Sequence, residues 1–407
     1  MTVRETAAHP AHPSALVLAV AGSATVATAF GMARYGYGLL LPDIQDDLML
    51  TATMLGAIGT LAYVTYIVAA ALVTRCIACA GHRVTVVAGG LFAVVGTIVV
   101  ALAHGPGLLA VGVATAGASA GLVYPPFADA VDRLPAAVRA RTLSTISCGT
   151  GWGVAVAAPI AIAAGDEWRT AFLAFAGCAA ASTLYAARAF PGRRPYGRTG
   201  GKRRTPGFRR AAIPMLGGAL LIGLGSAPFW TFAVDAAHHA GLDQVAGRAL
   251  LGVAGVASVL GMGAAEVISR LGARWTFVLC ALLEAAAIAT VGLAAGHLVA
   301  VLAAAAAFGA AYNTVIPVTV LWGTRLYADQ PSAGAAAAVG AQATGLLCGP
   351  LAGGIVADAI GLTATILGGA AVVLAAILFA PRGDITDRAS PMGLREASSY
   401  GTRRSDR

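Results

Sequence analysis

Stretches of about 20 mostly apolar residues follow one another along almost the whole of this chain. Twelve can be marked, at 15–41, 52–74, 84–103, 107–131, 142–164, 169–190, 211–234, 246–269, 275–295, 298–322, 334–357 and 362–381. Each is long enough to cross the hydrocarbon of a bilayer as an α-helix. Hydrocarbon offers no water to a free N–H or C=O, so a helix that satisfies its own backbone is the local solution. The charge content agrees: 11% of residues are charged, against about 25% in ordinary soluble domains. The expected fold is an all-α membrane protein with twelve transmembrane helices in two pseudo-symmetric six-helix bundles.

The spacing of the runs divides the chain. Residues 1–14 form a polar N-terminal segment, and the first run follows without a small-residue cleavage site, so it reads as a retained helix. Six runs fill 15–190 and six fill 211–381. Between them lies a basic linker, 191–210, reading PGRRPYGRTGGKRRTPGFRR, and a charged tail occupies 382–407. Basic residues collect in cytoplasmic loops. With the N-terminus inside, the inner segments hold Arg4, Arg75, Arg83, Arg133, Arg139, Arg141, Arg188, the linker, Arg270, Arg274, Arg325 and six tail arginines. The outer loops then hold only Arg169 and Arg248, beside Asp43, Asp46, Asp47, Asp166, Glu167, Asp243 and Asp358. Both termini are therefore expected in the cytoplasm, in a multi-pass protein of the cell membrane. The net charge of +9 is explained as a topology signal with attraction to anionic headgroups, and nucleic acid is not an expected partner.

The two sets of runs repeat. Gly81 and Arg83 match Gly272 and Arg274 at an offset of 191; Gly117, Pro125 and Arg133-Leu134 match Gly309, Pro317 and Arg325-Leu326 at 192; Pro159 matches Pro350 at 191. Two halves with equal, even helix counts have the same orientation, a parallel repeat about the membrane normal.

In this arrangement the sequence resembles the major facilitator superfamily, across roughly 15–381. Arg75 to Arg83, with Gly81-His82-Arg83, stands at the family's basic loop between helices 2 and 3, and Ser269-Arg270-Leu271-Gly272-Ala273-Arg274 is its copy between helices 8 and 9. DRLPAAVRARTLS, Asp132 to Ser144, resembles the loop into helix 5, and Trp168-Arg169-Thr170-Ala171-Phe172 the opening of helix 6. Gly345, Gly349, Pro350, Gly353 and Gly354 form a G-x-x-x-G-P-x-x-G-G motif on helix 11. FGMARYGYGLLLP, Phe30 to Pro42, resembles a less characterised bacterial branch. The chain departs from the family where Ala78 and Ser269 replace the loop aspartate and where Val113 stands at the place of the helix-4 arginine. The exporter Gly-Pro motif belongs on helix 5, which here has only Gly149, Gly153 and Pro159.

Arg34 is the sharpest candidate. It lies within the first run, about 10 Å from the outer end at 1.5 Å per residue, where an arginine costs up to roughly 2.5–3.5 kcal/mol. Ser23, Ala27, Phe30, Arg34 and Tyr37 share one helical face at spacings of three and four. Such a face suits an anion site or a gating ion pair; a snorkelling arginine is the alternative. Tyr124, Trp230, Asn313 and Gln342 join Phe30, Arg34 and Tyr37 as substrate-binding or gating candidates, with helix–helix hydrogen bonding as the other reading of the polar ones. Asp235, Glu284 and Asp129 are possible proton or gate acids. Asp235 could meet Arg34 when the outer mouth closes; Glu284 is either a proton carrier or a structural acid; Asp129 has Arg133 one turn on. The helix-11 glycines with Pro350 read first as a packing motif. Cys76, Cys79 and His82 are too few for a metal site, and no phosphate-binding loop for ATP is present. No metal and no cofactor are expected.

The resemblance implies a secondary active transporter, not an enzyme, working by alternating access. The leading expectation is proton-coupled export of a small organic molecule by antiport. The alternative is uptake of a small organic anion with protons, Arg34 holding the carboxylate. A non-transporting membrane sensor or scaffold is the reading of another class. Expected partners are the solute, protons and the lipid bilayer; one chain supplies a whole pathway, so a monomer suffices.

Overall fold

The computed structural model describes residues 14–190 and 209–382. The segment 1–13, nearly all of the basic linker and nearly all of the tail lie outside the described residues. What is described is helical almost throughout. Helix α1 is Ala15–Val26; α2 is Gly36–Leu39; α3 is Leu41–Leu48; α4 is Ala52–Ala80; α5 is His82–Ala101; α6 is Pro106–Val131. Then come α7 Ala136–Ser147, α8 Gly149–Ala164, α9 Trp168–Ala189 and, past the linker, α10 Ile213–His239. Helices α11 Gln244–Ala257, α12 Ala264–Leu293, α13 Leu298–Leu326, α14 Pro331–Ile360 and α15 Leu362–Ala375 complete the chain.

Local sequence sets the ends. The Thr51 hydroxyl accepts from Met54 N–H and the Asp243 carboxylate from Ala246 N–H, capping α4 and α11. By length and composition, eleven segments qualify as membrane spans. One of them, Gln244–Leu293, runs 50 residues, or about 75 Å as a continuous helix, which is far more than a bilayer needs. Gly272, at φ 75° and ψ 159°, breaks it.

The first run is not one helix, as the sequence led us to expect. After α1 the chain makes a π-helical turn over Ala27–Met32, with Ala33 N–H donating to Thr28 C=O and Tyr35 N–H to Phe30 C=O. A bend follows, then the short α2 and the amphipathic α3.

Many large apolar side chains, among them Leu16, Val68, Leu91, Val95, Trp275, Leu293 and Leu378, are exposed on the outside. A soluble protein rarely displays so much; hydrocarbon is the matching solvent. Polar groups go inward: Arg34, Asp235, Arg248, Glu284 and Gln342 are all buried.

The parts before and after the linker are joined at the end where α3 lies. Arg248 of α11 donates to Asp43 of α3 at 2.9 Å and to the Ala161 carbonyl of α8 at 2.8 Å. The Asp358 carboxylate of α14 accepts from the first free N–H groups of α4, Ala52 at 3.0 Å and Thr53 at 2.8 Å. Helices α4 and α14 touch backbone to backbone, because a Cβ on Gly56 would fall 2.2 Å from the Pro350 carbonyl oxygen and one on Gly354 2.3 Å from that of Ala52. The α3 end is closed.

Candidate functional site

Arg34 sits in the bend that follows the π turn. Its guanidinium carbon lies 4.0 Å from the ring centre of Tyr63 and 4.6 Å from that of Tyr66, both on α4. The rings of Tyr35 and Phe30 stand at 5.5 and 5.7 Å. Such contacts are worth about 0.5–1 kcal/mol each when exposed and about 2 kcal/mol or more when desolvated. Four rings therefore offset much of the cost of burying the cation. They leave its hydrogen bonds only partly answered: Nε has no partner. Among the described residues no carboxylate pairs with Arg34.

Trp230, from α10 across the interface, packs on Tyr35 with ring centres 4.5 Å apart. Its indole N–H is likewise buried and without a partner. Behind it, Phe229, Phe308 and Tyr312 continue the aromatic surface: Phe229 stacks on Phe308 at 3.7 Å, and Phe308 on Tyr312 at 5.6 Å. Arg34, Tyr35, Tyr37, Tyr63, Trp230 and Thr231 line one small cavity of about 20 Å³, room for about one water. Arg34 and Trp230 both line that cavity, and each has one buried N–H donor with no acceptor. An oxygen acceptor suits both of them, and a carboxylate could answer both at once.

The structure brings Arg34, Phe30, Tyr37 and Trp230 together. The Tyr37 hydroxyl itself donates to the Leu55 carbonyl at 2.9 Å, so that ring lines the space while its polar end ties α2 to α4. The other candidates lie elsewhere. Tyr124 bonds Ser147 at 2.9 Å. Asn313 donates to Ser258 at 2.9 Å and to the Gly309 carbonyl, joining helices. Gln342 is buried, with its amide nitrogen unpartnered, and is outside this cavity. Gly345 and Gly349 let α14 approach α10, a Cβ on the former falling 2.1 Å from the Leu220 carbonyl oxygen; Gly353 faces Phe232, and Gly354 and Pro350 meet α4.

One of the acids differs from expectation. Asp235 does not meet Arg34 although the α3 end is closed. It stands 3.0 Å from His239, whose ring nitrogen is hydrogen-bonded to the Asp235 carbonyl. With Gln45, His239 and Asp358 it lines a separate cavity of about 580 Å³ at that end. Asp129 lies 3.3 Å from His82. Glu284 is fully buried and bonded to Ser226 of α10, because a carboxyl in hydrocarbon needs a polar partner and a neighbouring helix supplies one. Glu266 pairs with Arg270 one turn on, at 2.5 Å.

Sequence reasoning underrated Tyr35 and assigned no structural role to Arg248, Asp358 or Ser226. Only Arg248 carried a usable signal, as one of two arginines in an otherwise acidic set of loops.

Apolar spans packed around a buried cation and an aromatic cavity define a membrane transport protein. Residues 24–265 match the Major Facilitator Superfamily, more than half of the 407-residue chain. The chain belongs to that superfamily; it is a secondary transporter and not an enzyme. No curated protein sequence matches it. Among solved structures, a mutant of the nucleoside transporter NupG superposes with a TM-score of 0.73 at 11% identity, covering 89% of this chain and 98% of the other. A D-xylose-proton symporter superposes with a TM-score of 0.71 at 13% identity, covering 92% and 99%. At such identities the likeness is one of fold.

Proposed function

We propose that this transporter carries a small organic anion with an apolar or aromatic body, taken up together with protons. The observation behind this reading is a pair of unpartnered buried donors, Arg34 Nε and Trp230 Nε1, in two residues that line one aromatic-walled cavity. A carboxylate would answer both and would neutralise a cation for which the described chain supplies no acid. The solute's apolar body would lie against Tyr35, Trp230, Phe308 and Tyr312. The symporter among the structural neighbours is compatible with proton coupling. A cavity of 20 Å³ cannot hold such a solute, so the site must open before loading.

The topology in this reading is twelve crossings, with Gln244–Leu293 counted as two around the break at Gly272. They divide into bundles at 15–190 and 211–381, each chain working as a monomer. The basic bias of the loops puts both termini in the cytoplasm and the closed α3 end outside. Rocking of the bundles about the Arg34 site would alternate its access.

One observation favours a second reading. The run of stacked rings from Phe229 to Tyr312 suits apolar organic molecules in general, as proton-coupled export of such compounds requires. The test is substrate-triggered proton movement in energised inside-out vesicles, with organic anions and lipophilic cations compared in wild type and Arg34→Ala. A response to anions alone, lost in Arg34→Ala, supports the anion site. A response to cations that survives the substitution overturns it and leaves export of apolar cations.

A further inference from the structure

Glu284 has no part in the cavity around Arg34, yet its surroundings are hard to explain as packing alone. It lies on α12, fully buried, and its Oε1 contacts the hydroxyl of Ser226 on α10. The same hydroxyl contacts the Ile222 carbonyl. Glu284 Oε2 has no partner. Among the described residues no arginine, lysine or histidine pairs with Glu284.

A hydroxyl has a single proton to give. If Glu284 were ionised, Ser226 would donate to it and leave the Ile222 contact without a hydrogen. A full negative charge would then rest on one neutral hydrogen bond in a medium where an uncompensated ion is very costly. If Glu284 carries a proton, its O–H donates to Ser226, and Ser226 donates onward to Ile222. Only the protonated carboxyl completes this chain. A glutamine could hold the two helices together equally well, since its amide also donates. What an acid adds at this position is a proton that can leave.

The position is linked to the solute site. Tyr312 of α13 packs against Trp230 with ring centres 5.7 Å apart, Trp230 packs on Tyr35 at 4.5 Å, and Tyr35 flanks the Arg34 guanidinium. Along α10, Ser226 precedes Trp230 by about one helical turn. The titratable neighbours of Glu284 are Cys280 on its own helix and Tyr312 on α13. Helix α15, which also packs on α12, contains no titratable side chain.

We propose that Glu284 carries the coupled proton, and that α10, through Ser226 and Trp230, connects it to the Arg34 site. This rests on the reading of the protein as an anion–proton symporter. On loading, a proton from water forms an O–H bond to the Glu284 carboxylate; on release that bond breaks and the proton returns to water on the other side. An anion at Arg34 cancels positive charge that would repel the proton, so each favours the other, and the coupling is reciprocal.

Glu284→Gln imitates the protonated residue and decides the matter in two measurements. In the first, infrared spectra of purified wild type and Glu284→Gln are compared across a pH series without solute. A carboxyl C=O band in wild type that is absent from the variant is expected; if wild type has no such band, the proposal fails. Ser226→Ala, which should shift the same band, takes the variant's place if Glu284→Gln does not fold. In the second, proteoliposomes are given radiolabelled benzoate, hippurate and phthalate. Wild type should accumulate at least one of them, about tenfold for one proton per solute at a gradient of one pH unit. Glu284→Gln should keep exchange of labelled for unlabelled solute and lose accumulation, its ratio falling to one. Accumulation at the wild-type level overturns the proposal, and so does loss of exchange and accumulation together, which would mark a structural clamp. If wild type carries none of the three, the anion reading is what suffers, and the infrared result still judges Glu284.

Discussion

Among the described residues two arginines are buried, and their surroundings are opposite. Arg248 is fully answered by the chain: it holds Asp43, the Ala161 carbonyl and Gln244 at 2.8–3.1 Å. Arg34 has four aromatic rings, an unpartnered Nε and no acid. A buried cation with its own carboxylate is a finished structural joint, here between α11 and α3. A buried cation given only π faces is stabilised enough to stay in place and is still able to accept an anion. The difference lies in what each arginine has been left to bind.

That contrast can be broken in several ways, and the effects should be unequal. Asp43→Ala should be the most damaging to stability. It leaves Arg248 buried without its acid, at about 3–5 kcal/mol, read as a fall in the thermal unfolding midpoint in detergent. Adding Arg248→Leu should recover most of the loss; no change in the single variant would mean that the pair is not a joint at all. Arg34→Ala should do the reverse. Removing one partner of a buried charge contact costs about 2–5 kcal/mol in binding, so carboxylate affinity should drop at least about 30-fold, while the unfolding midpoint holds or rises. Gly56→Ala should act on closure, since its Cβ would meet the Pro350 carbonyl. In a background without the native cysteines, labelling of Thr53→Cys by a membrane-impermeant thiol reagent should quicken several-fold. The smallest effect is expected for Asp358→Asn, a helix cap across the closed end worth about 0.5–2 kcal/mol. Asp358 is exposed, so salt screens it, and the gap between wild type and variant in the same labelling assay should narrow as ionic strength rises.

Much of the architecture was legible because hydrocarbon imposes simple rules. Run length, the loop charges and the glycine motif of α14 led to an all-helical membrane fold and to the superfamily. Arg34 itself was legible as a charge within an apolar run. Its cage was only half legible. The spacing of three and four that grouped Ser23, Ala27, Phe30, Arg34 and Tyr37 assumes an unbroken α-helix. The π turn over Ala27–Met32 adds a residue to one turn, shifting Arg34 and Tyr35 together by about 100° against the face of α1. Nothing in the residues Ala-Thr-Ala-Phe-Gly-Met announces that shift. The long-range partners of Glu284 and Asp358 were hidden for a different reason. Ser226 is 58 residues away from Glu284 and Ala52 is 306 away from Asp358, and helical periodicity reports only on neighbours one or two turns apart.

The missing acid beside Arg34 also has an electrical consequence. Moving one elementary charge through the full membrane potential is worth about 2.3 kcal/mol per 100 mV. With a monoanion seated, the charge of Arg34 is cancelled and the loaded site is indifferent to voltage. Empty, with the proton gone from Glu284, the positive charge of Arg34 travels with a negative carboxylate, so the vacant carrier is neutral as well. With one proton per anion, neither half of the cycle senses voltage, and the pH difference alone drives uptake.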